Sequence, residues 1–345
     1  MKVAHVRERH APAGAPWRLA AARTWDSGSW LDLEVVRRRL VAADPRRAHN
    51  ATLFRQPLTT VDELLGRGLR IEALAELAEG FEPRAPAGDD DAVLDGAELV
   101  FGRPVLQPPA VRDFYAFERH VGTIWGRRGA EIPEAWYRLP IFYFSNTSEM
   151  RGPGDPVWAP RGCEELDFEL EVGAVVDTPA IDLPEERAEE ALGGFFVLND
   201  WSARDLQREE TAVRLGPAKG KDFATSIGPW IVTPDELADA RAPGSTGPDL
   251  AMVATVRDGT GTVTEVSRGT WASAQHSFGA MLARASASVH LRAGEIVGSG
   301  TVGSGCLLEM RDATLGRWLE PGDLVTLSIE RLGSLETPVV LPPGR

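Results

Sequence analysis

Glu165-Leu-Asp-Phe-Glu-Leu-Glu-Val-Gly-Ala-Val-Val176 decides how this chain is read. Its first eight residues alternate strictly between carboxylate and apolar side chains, the period of a β-strand, in which successive side chains point to opposite faces. Leu166, Phe168, Leu170 and Val172 then share one face, and Glu165, Asp167, Glu169 and Glu171 the other. Four carboxylates stacked on one strand face repel each other and hold their protons more tightly unless cations or hydrogen-bond donors meet them. An acidic, solvated face with arginines nearby is one solution. The continuation through Gly173, Ala174, Val175 and Val176 has no polar face, so the element reads as central, where solvated carboxylates are costly, although Gly173 is a weak strand former. A hard divalent cation held by Glu169 and Glu171 is the better solution.

Around this strand, from about Glu98 to Pro343, short apolar runs alternate with Gly/Pro turns: 140–144, 195–198, 230–232, 252–256, 295–297 and 324–329. Helix-like pieces fall at 112–125, 184–192, 201–210 and 271–286. Strands outnumber helices and no regular β-α alternation is visible, which predicts a β-rich α+β fold and not a doubly wound parallel sheet. Toward the N-terminus a short apolar start (Val3, Ala4, Val6) precedes two stretches with three- and four-residue apolar spacing, Leu31 to Ala42 and Thr60 to Ala78. Glu82 to Asp95, with its Asp89-Asp90-Asp91 run, breaks the periodicity and reads as a linker. The expected organisation is a small α+β N-terminal domain and linker over 1–95 and a larger β-rich domain over 96–345.

The chain has 345 residues, with 51 acidic against 37 basic side chains and a formal charge of −14. A surface this acidic repels phosphates, so a nucleic-acid partner is not expected. No stretch approaches the ~18 to 20 apolar residues of a membrane span, and residues 1–30 hold no apolar run of the kind an export signal needs. Two cysteines, Cys163 and Cys306, make neither a disulfide framework nor a zinc site, and fit a reducing cytoplasm. Of the basic residues only three are lysines (Lys2, Lys219, Lys221), and only three tyrosines occur (Tyr115, Tyr137, Tyr143). In a composition that avoids both, those that persist are candidates for specific work.

Four further segments carry chemistry. In Val197-Leu-Asn-Asp-Trp-Ser-Ala-Arg-Asp-Leu-Gln207 an apolar strand ends at Asn199-Asp200 and Ser202 is placed to cap a helix. Asp200 at a strand end can face a metal, while Arg204 and Gln207, three apart, share a helix face; in the bland alternative Asp200 merely caps the helix and Arg204 pairs with Asp205 or Glu209. In Arg112-Asp-Phe-Tyr-Ala-Phe-Glu-Arg-His-Val121, Phe114, Phe117 and Val121 form an apolar stripe, and Asp113 and His120 lie two helical turns apart on another face with Tyr115 between them. A lone histidine is more often structural than catalytic, but the nearby acid and tyrosine favour chemistry here. Ala218-Lys-Gly-Lys-Asp-Phe-Ala-Thr-Ser-Ile-Gly-Pro-Trp230 holds two of the three lysines beside a glycine and a threonine, with a surface turn as the bland alternative. Gly298-Ser-Gly-Thr-Val302 precedes Leu307-Leu-Glu309, where Glu309 is either an edge residue or a buried partner for a histidine.

Together these segments resemble the fumarylacetoacetate hydrolase family over roughly residues 105–340. The matching pieces occur in family order: Asp113-Phe-Tyr115 with His120, Leu139-Pro140 with Tyr143, Leu166-Asp-Phe-Glu-Leu-Glu171, Asn199 to Gln207, Gly220-Lys-Asp-Phe-Ala-Thr225 and Ser299-Gly-Thr301. The resemblance implies a mixed β-sandwich roll, a homodimer, and one Mg²⁺, Ca²⁺ or Mn²⁺ held by Asp113, Glu169, Glu171 and Asp200, with Mg²⁺ favoured. It makes His120 the general base oriented by Glu309, gives Lys221 and Gln207 catalytic roles, and puts Tyr115, Tyr143, Arg204, Thr225 and Thr301 around the substrate. The activity it implies is metal-dependent hydrolysis of a carbon–carbon bond in a 1,3-diketo acid or acylpyruvate. Decarboxylation, tautomerisation or isomerisation of 2-oxo acids on the same site is the enzymatic alternative, and a metal-stabilised binding protein the non-enzymatic one. Two positions depart from the family pattern: Arg127 and Arg128 stand out of register with the hydrolase's substrate arginine, and Thr211 falls near its second tyrosine.

Overall fold

The computed structural model describes residues 1–12, 14–50, 52–85 and 89–344. At its centre Leu170–Val176 pairs on one side with Leu192–Asp200 and on the other with Ile296–Gly298. From Leu192–Asp200 the sheet runs through Thr225–Val232, Lys2–Glu8, Arg18–Ala22 and Ser29–Asp32 to Val93–Asp95. From Ile296–Gly298 it continues, with parallel pairing, to Val111–Phe114 and ends at Phe142–Ser145. A four-stranded antiparallel sheet (Val263–Thr270, Ala251–Arg257, Leu324–Ile329, Gly333–Pro338) stands apart from it in the pairing.

The two central strands are buried throughout, and apolar except at Glu171 and Asn199-Asp200, because both faces of the large sheet are covered. Val172, Ala174, Phe195 and Val197 join one core with Met252, Leu327 and the helix Phe278–Ser286. Val175, Phe196, Leu198 and Ile231 face the other way, against the N-terminal helices Leu33–Ala43, Val61–Gly66 and Leu74–Glu79 through Val36, Leu64 and Leu77. Side chains that alternate between two apolar cores leave no polar period, as a doubly covered strand requires. Gly173 belongs to this packing: a Cβ there would lie 2.3 Å from the Phe196 ring, so its lack of a side chain is what lets that ring lie across the strand.

Several local expectations are corrected. The segment 112–125 is not one helix: Val111–Phe114 is a strand and the helix is Glu118–Arg127. Asp113 and His120 therefore come from different elements and not from one helix face. Ser202 does not cap the following helix. It pairs with Asp167 in a two-stranded ladder, and Ala203 takes the cap position of Arg204–Ala212. The alternating segment is likewise broken between Leu166–Asp167 and Leu170–Val176. Its four carboxylates consequently part: Glu165 pairs with Arg208 near the surface, while Asp167, Glu169 and Glu171 are buried in different surroundings. Of the stretch 271–286, Phe278–Ser286 is α-helical, and within Glu82 to Asp95 the end, Val93–Asp95, is a strand.

Candidate active site

The strand pairings bring three acids together. Gly298 stands beside Gly173 on one side and Asp113 on the other, and Asp113 stands beside Tyr143. Glu171 lies two residues before Gly173, and Asp200 ends the neighbouring strand opposite Thr225. Carboxylate oxygens of Asp113, Glu171 and Asp200 all lie within 4.8 Å of one another, with each residue at most 3% exposed. Burial raises all three carboxyls above the usual range, and close acidic neighbours add to it, chiefly Asp200 for Asp113 and Asp113 for Glu171.

The Gly298-Ser-Gly-Thr loop fixes Glu171: Gly300 N donates to Oε2 at 3.0 Å and Thr301 Oγ1 to Oε1 at 3.3 Å. Asp113 Oδ1 and Asp200 Oδ1 are buried and accept no hydrogen bond among the described residues. Three convergent buried carboxylates, two of them with an orphaned oxygen, form an oxygen-only donor set of the kind that suits a hard divalent ion.

Glu169 differs. Lys221 Nζ bonds both Glu169 and Asp200, and Arg204 Nη2 lies 2.8 Å from Glu169 Oε1. Burial alone would raise Glu169, but Lys221 and Arg204 outweigh it and hold the carboxyl below the usual range. For Lys221 burial is likewise outweighed, here by Asp200 and Glu169, so the ammonium is held above its ordinary value.

On the far side stands the histidine. His120, 3% exposed on the helix Glu118–Arg127, puts Nδ1 2.8 Å from Glu309 Oε2 and Nε2 4.0 Å from Glu169 Oε1. Glu309 also accepts from Ser304 N at 3.2 Å and from Cys306 Sγ at 3.4 Å. Burial opposes ionisation of Glu309, but the His120 hydrogen bond prevails and keeps the carboxyl below the usual range. A carboxylate on one ring nitrogen fixes the tautomer and leaves the other nitrogen to work as a base.

These groups line one cavity of about 930 Å³. It brings together Asp113, Tyr115, His120, Tyr143, Glu169, Glu171, Asp200, Arg204, Gln207, Lys221 and Thr301, with Glu309 behind His120. Thr225 is not brought to the wall; its hydroxyl bonds Ser145 Oγ at 3.0 Å. Tyr143 donates to Asp200, and Tyr115 packs edge-on to His120 at 5.5 Å. Arg204 and Gln207 do share a face, with Nη1 donating to Gln207 Oε1 at 3.1 Å, but Arg204's ion pairs are to Asp167 and Glu169, not to Asp205 or Glu209.

Sequence reading missed the apolar wall made by Ile124, Trp125, Ile141 and Leu308. Nothing in the sequence marks Ile141 and Leu308 as neighbours of the Ile124-Trp125 pair. Arg127 and Arg128, out of register in sequence, both line the cavity, one at the last position of that helix and the other at its C-cap.

Comparison with known proteins bears on the family and the fold. Residues 110–340 match the family described as fumarylacetoacetate (FAA) hydrolase, C-terminal. Among curated relatives, a fumarylacetoacetase of Oryza sativa subsp. japonica is 32% identical over 263 residues, covering 67% of this chain and 58% of its own. One from Emericella nidulans is 27% identical over 342 residues, covering 80% and 79%. The chain thus spans little more than half the length of the rice relative. Among solved structures, a fumarylacetoacetate hydrolase from psychrophilic Exiguobacterium antarcticum shares the fold with a TM-score of 0.67 at 22% identity, covering 99% of this chain and 100% of its own. A maleylpyruvate hydrolase from Sphingobium sp. SYK-6 gives 0.61 at 20% identity, covering 99% and 100%. A 2-hydroxyhepta-2,4-diene-1,7-dioate isomerase from Mycobacterium marinum gives 0.60 at 19%, covering 100% of both. No helix among the described residues is long and apolar enough to cross a membrane.

Proposed function

The chain belongs to the fumarylacetoacetate hydrolase family, and from that membership and the site we propose that it hydrolyses a carbon–carbon bond in a 1,3-diketo acid of the acylpyruvate type. The observation that carries the reading is the His120–Glu309 pair facing a buried carboxylate cluster across one cavity. Asp113, Glu171 and Asp200, with Glu169 beside them, would hold the divalent cation. A cation held there would supply the positive charge that stabilises the departing carbon as an enolate.

The protein's own groups do the rest. His120 Nε2 takes a proton from water while Glu309 steadies Nδ1, and the hydroxide attacks the distal carbonyl carbon. The bond between that carbon and the central one then breaks. The acyl fragment departs as a carboxylic acid, and the enolate is protonated to the 2-oxo acid. Lys221 and Gln207, both on the cavity wall, donate to the tetrahedral oxyanion, a contribution of about 10²-fold per donor. Arg204 and the rim residues Arg127 and Arg128 offer guanidinium groups for substrate carboxylates. Cytoplasmic location and a homodimer complete the proposal.

Incubating the protein with acetylpyruvate, fumarylpyruvate, fumarylacetoacetate and oxaloacetate, with and without chelator and with Mg²⁺ restored, tests it. Two acidic fragments formed only with metal are expected. Carbon dioxide as product favours the decarboxylase alternative, and full turnover in chelator removes the cation from the reaction.

A further inference from the structure

Asp167 is the carboxylate of the alternating segment for which the proposed chemistry has no use. It is completely buried and belongs to the short ladder with Ser202–Ala203. Its two oxygens accept four hydrogen bonds. Oδ1 takes Phe168 N at 2.8 Å and Leu307 N at 2.7 Å, and Oδ2 takes Leu308 N at 2.9 Å and Arg204 Nε at 2.8 Å. That fills a carboxylate's acceptor capacity.

The partners belong to two working parts of the cavity. Leu307 and Leu308 open the four-residue helix Leu307–Met310, which carries Glu309, so one carboxylate spanning two successive N–H groups fixes the height and rotation of that turn. Arg204 is the other end: its Nη2 lies 2.8 Å from Glu169 and its Nη1 donates to Gln207. The connections close on themselves, from His120 to Glu309, through the turn to Asp167 and Arg204, then to Glu169, whose Oε1 is 4.0 Å from His120 Nε2.

A helix this short has little hold on its own orientation. We propose that Asp167 is a positioning residue, which sets the turn bearing Glu309, and hence the His120 ring, relative to Arg204 and the carboxylate cluster. The role rests on the reading of His120 and Glu309 as the base. It also accounts for an aspartate where glutamate stands on either side along the alternating run: one more methylene would drive the carboxylate into the backbone it must clasp.

The test is a double-mutant cycle on acylpyruvate hydrolysis with saturating Mg²⁺. Asp167→Asn keeps the size but turns an amide N–H₂ toward two of the four donors. The expected result is a kcat lower by about 10- to 100-fold with KM within about threefold, since geometry and not binding is lost. In a Glu309→Gln background the same change is expected to cost less than about threefold, because the residue it positions is already disabled. Thermal unfolding and Mg²⁺ calorimetry check that each variant is folded. Equal loss in both backgrounds, or an unchanged kcat in folded Asp167→Asn, overturns the positioning role. Wild-type turnover by Glu309→Gln overturns the assignment of the base instead. Should Asp167→Asn not fold, Arg204→Lys takes its place in the cycle and non-additivity with Glu309→Gln is again expected. Additivity there, or failure of both variants to fold, assigns Asp167 to folding and overturns the inference.

Discussion

Replacing Gly298 by alanine tests the proposed cation site at one carbon atom. Gly298 ends the strand Ile296–Gly298, between Gly173 and Asp113, and its φ is not in the left-handed region, so alanine brings no backbone strain. A Cβ built there lies 2.5 Å from Asp113 Oδ1, 3.1 Å from its Cγ and 3.2 Å from Glu171 Oε2. Real Cβ contacts start near 3.0 Å and relax only beyond 3.4 Å, so Asp113 Oδ1 must retreat by about 0.5–0.9 Å. Metal–oxygen bonds tolerate about 0.2 Å. Asp113 is short and buried, and it has no room to yield without turning its carboxylate out of the cluster.

The expected consequence is a Mg²⁺ affinity weaker by about 10- to 100-fold and a kcat/KM lower by about 10²-fold at fixed Mg²⁺. The overpacking itself should cost the metal-free protein only about 1–3 kcal/mol. Calorimetric Mg²⁺ titration of Gly298→Ala against wild type measures the first, and the acylpyruvate assay the second. Gly259→Ala is the control, because a Cβ at Gly259 meets nothing within 4 Å. Wild-type Mg²⁺ affinity in folded Gly298→Ala would refute the assignment of Asp113 and Glu171 to the cation.

Other outcomes follow from the same geometry. His120→Ala should lower kcat by about 10²- to 10⁴-fold while calorimetric Mg²⁺ binding persists; near-wild-type turnover places the base elsewhere. Lys221→Met strips the shared cation from Glu169 and Asp200, so the metal-free protein should lose about 3–5 kcal/mol and Mg²⁺ should return part of it; equal losses with and without metal in denaturant melts contradict this. The third concerns pH. Asp113, Glu171 and Asp200 have raised folded values, so the metal-free native state holds protons that the unfolded chain has released above about pH 4. Their burial therefore costs more stability as pH rises, and a cation, which needs the ionised forms, should stabilise more at pH 8 than at pH 5. Buried His5 and His276, whose values burial lowers, act in the opposite sense below about pH 6.5 but cancel in the difference between Mg²⁺ and chelator. A Tm gain on adding Mg²⁺ that is the same at both pH values would count against the carboxylate cluster.

Much of the site was legible in sequence because its residues stand at strand ends and in short motifs, where residue type and spacing carry the chemistry. Glu169, Glu171 and Asp200 could be placed from two segments, since alternation fixes a face and an apolar run fixes an end. What connects them could not. The Asp113–His120 spacing looks helical, yet the real junction is a strand turning into a helix, and its register is set by pairing with residues 296–298, nearly two hundred positions away. Ser202 has the look of a cap, but the ladder to Asp167 claims its backbone. Tertiary pairing overrides local preference at both places. The rare lysines and tyrosines also divide by environment. Lys221, Tyr115 and Tyr143 stand in the cavity, and Lys2 lies between the rings of Trp30 and Trp230, with Nζ 5.1 and 4.7 Å from their centroids. Lys219 and Tyr137 stay exposed, paired with Asp222 and Glu118. Scarcity selects residues held in place, and only the fold says whether chemistry or packing holds them.

Charge balance is the strongest physical support for the proposed chemistry. Asp113, Glu169, Glu171 and Asp200 are four buried carboxylates, and the one lysine among them bonds Glu169 and Asp200. Arg204 is already matched by the equally buried Asp167. The cluster thus carries an excess of negative charge that a low-dielectric interior does not tolerate without protons or a cation. Protons satisfy it only while Asp113 and Glu171 stay neutral; a divalent ion satisfies it with both ionised. A diketo acid brings its own negative charge beside the cluster, which protonated carboxyls would do nothing to offset. With a dication in place, Glu169 and Asp200 would gain a further counter-charge and depend less on Lys221, so its ammonium could turn to the substrate. The same four acids therefore account for the cation and for the availability of the lysine, which is why losing chelatable metal and losing Lys221 are expected to fail in the same step of turnover.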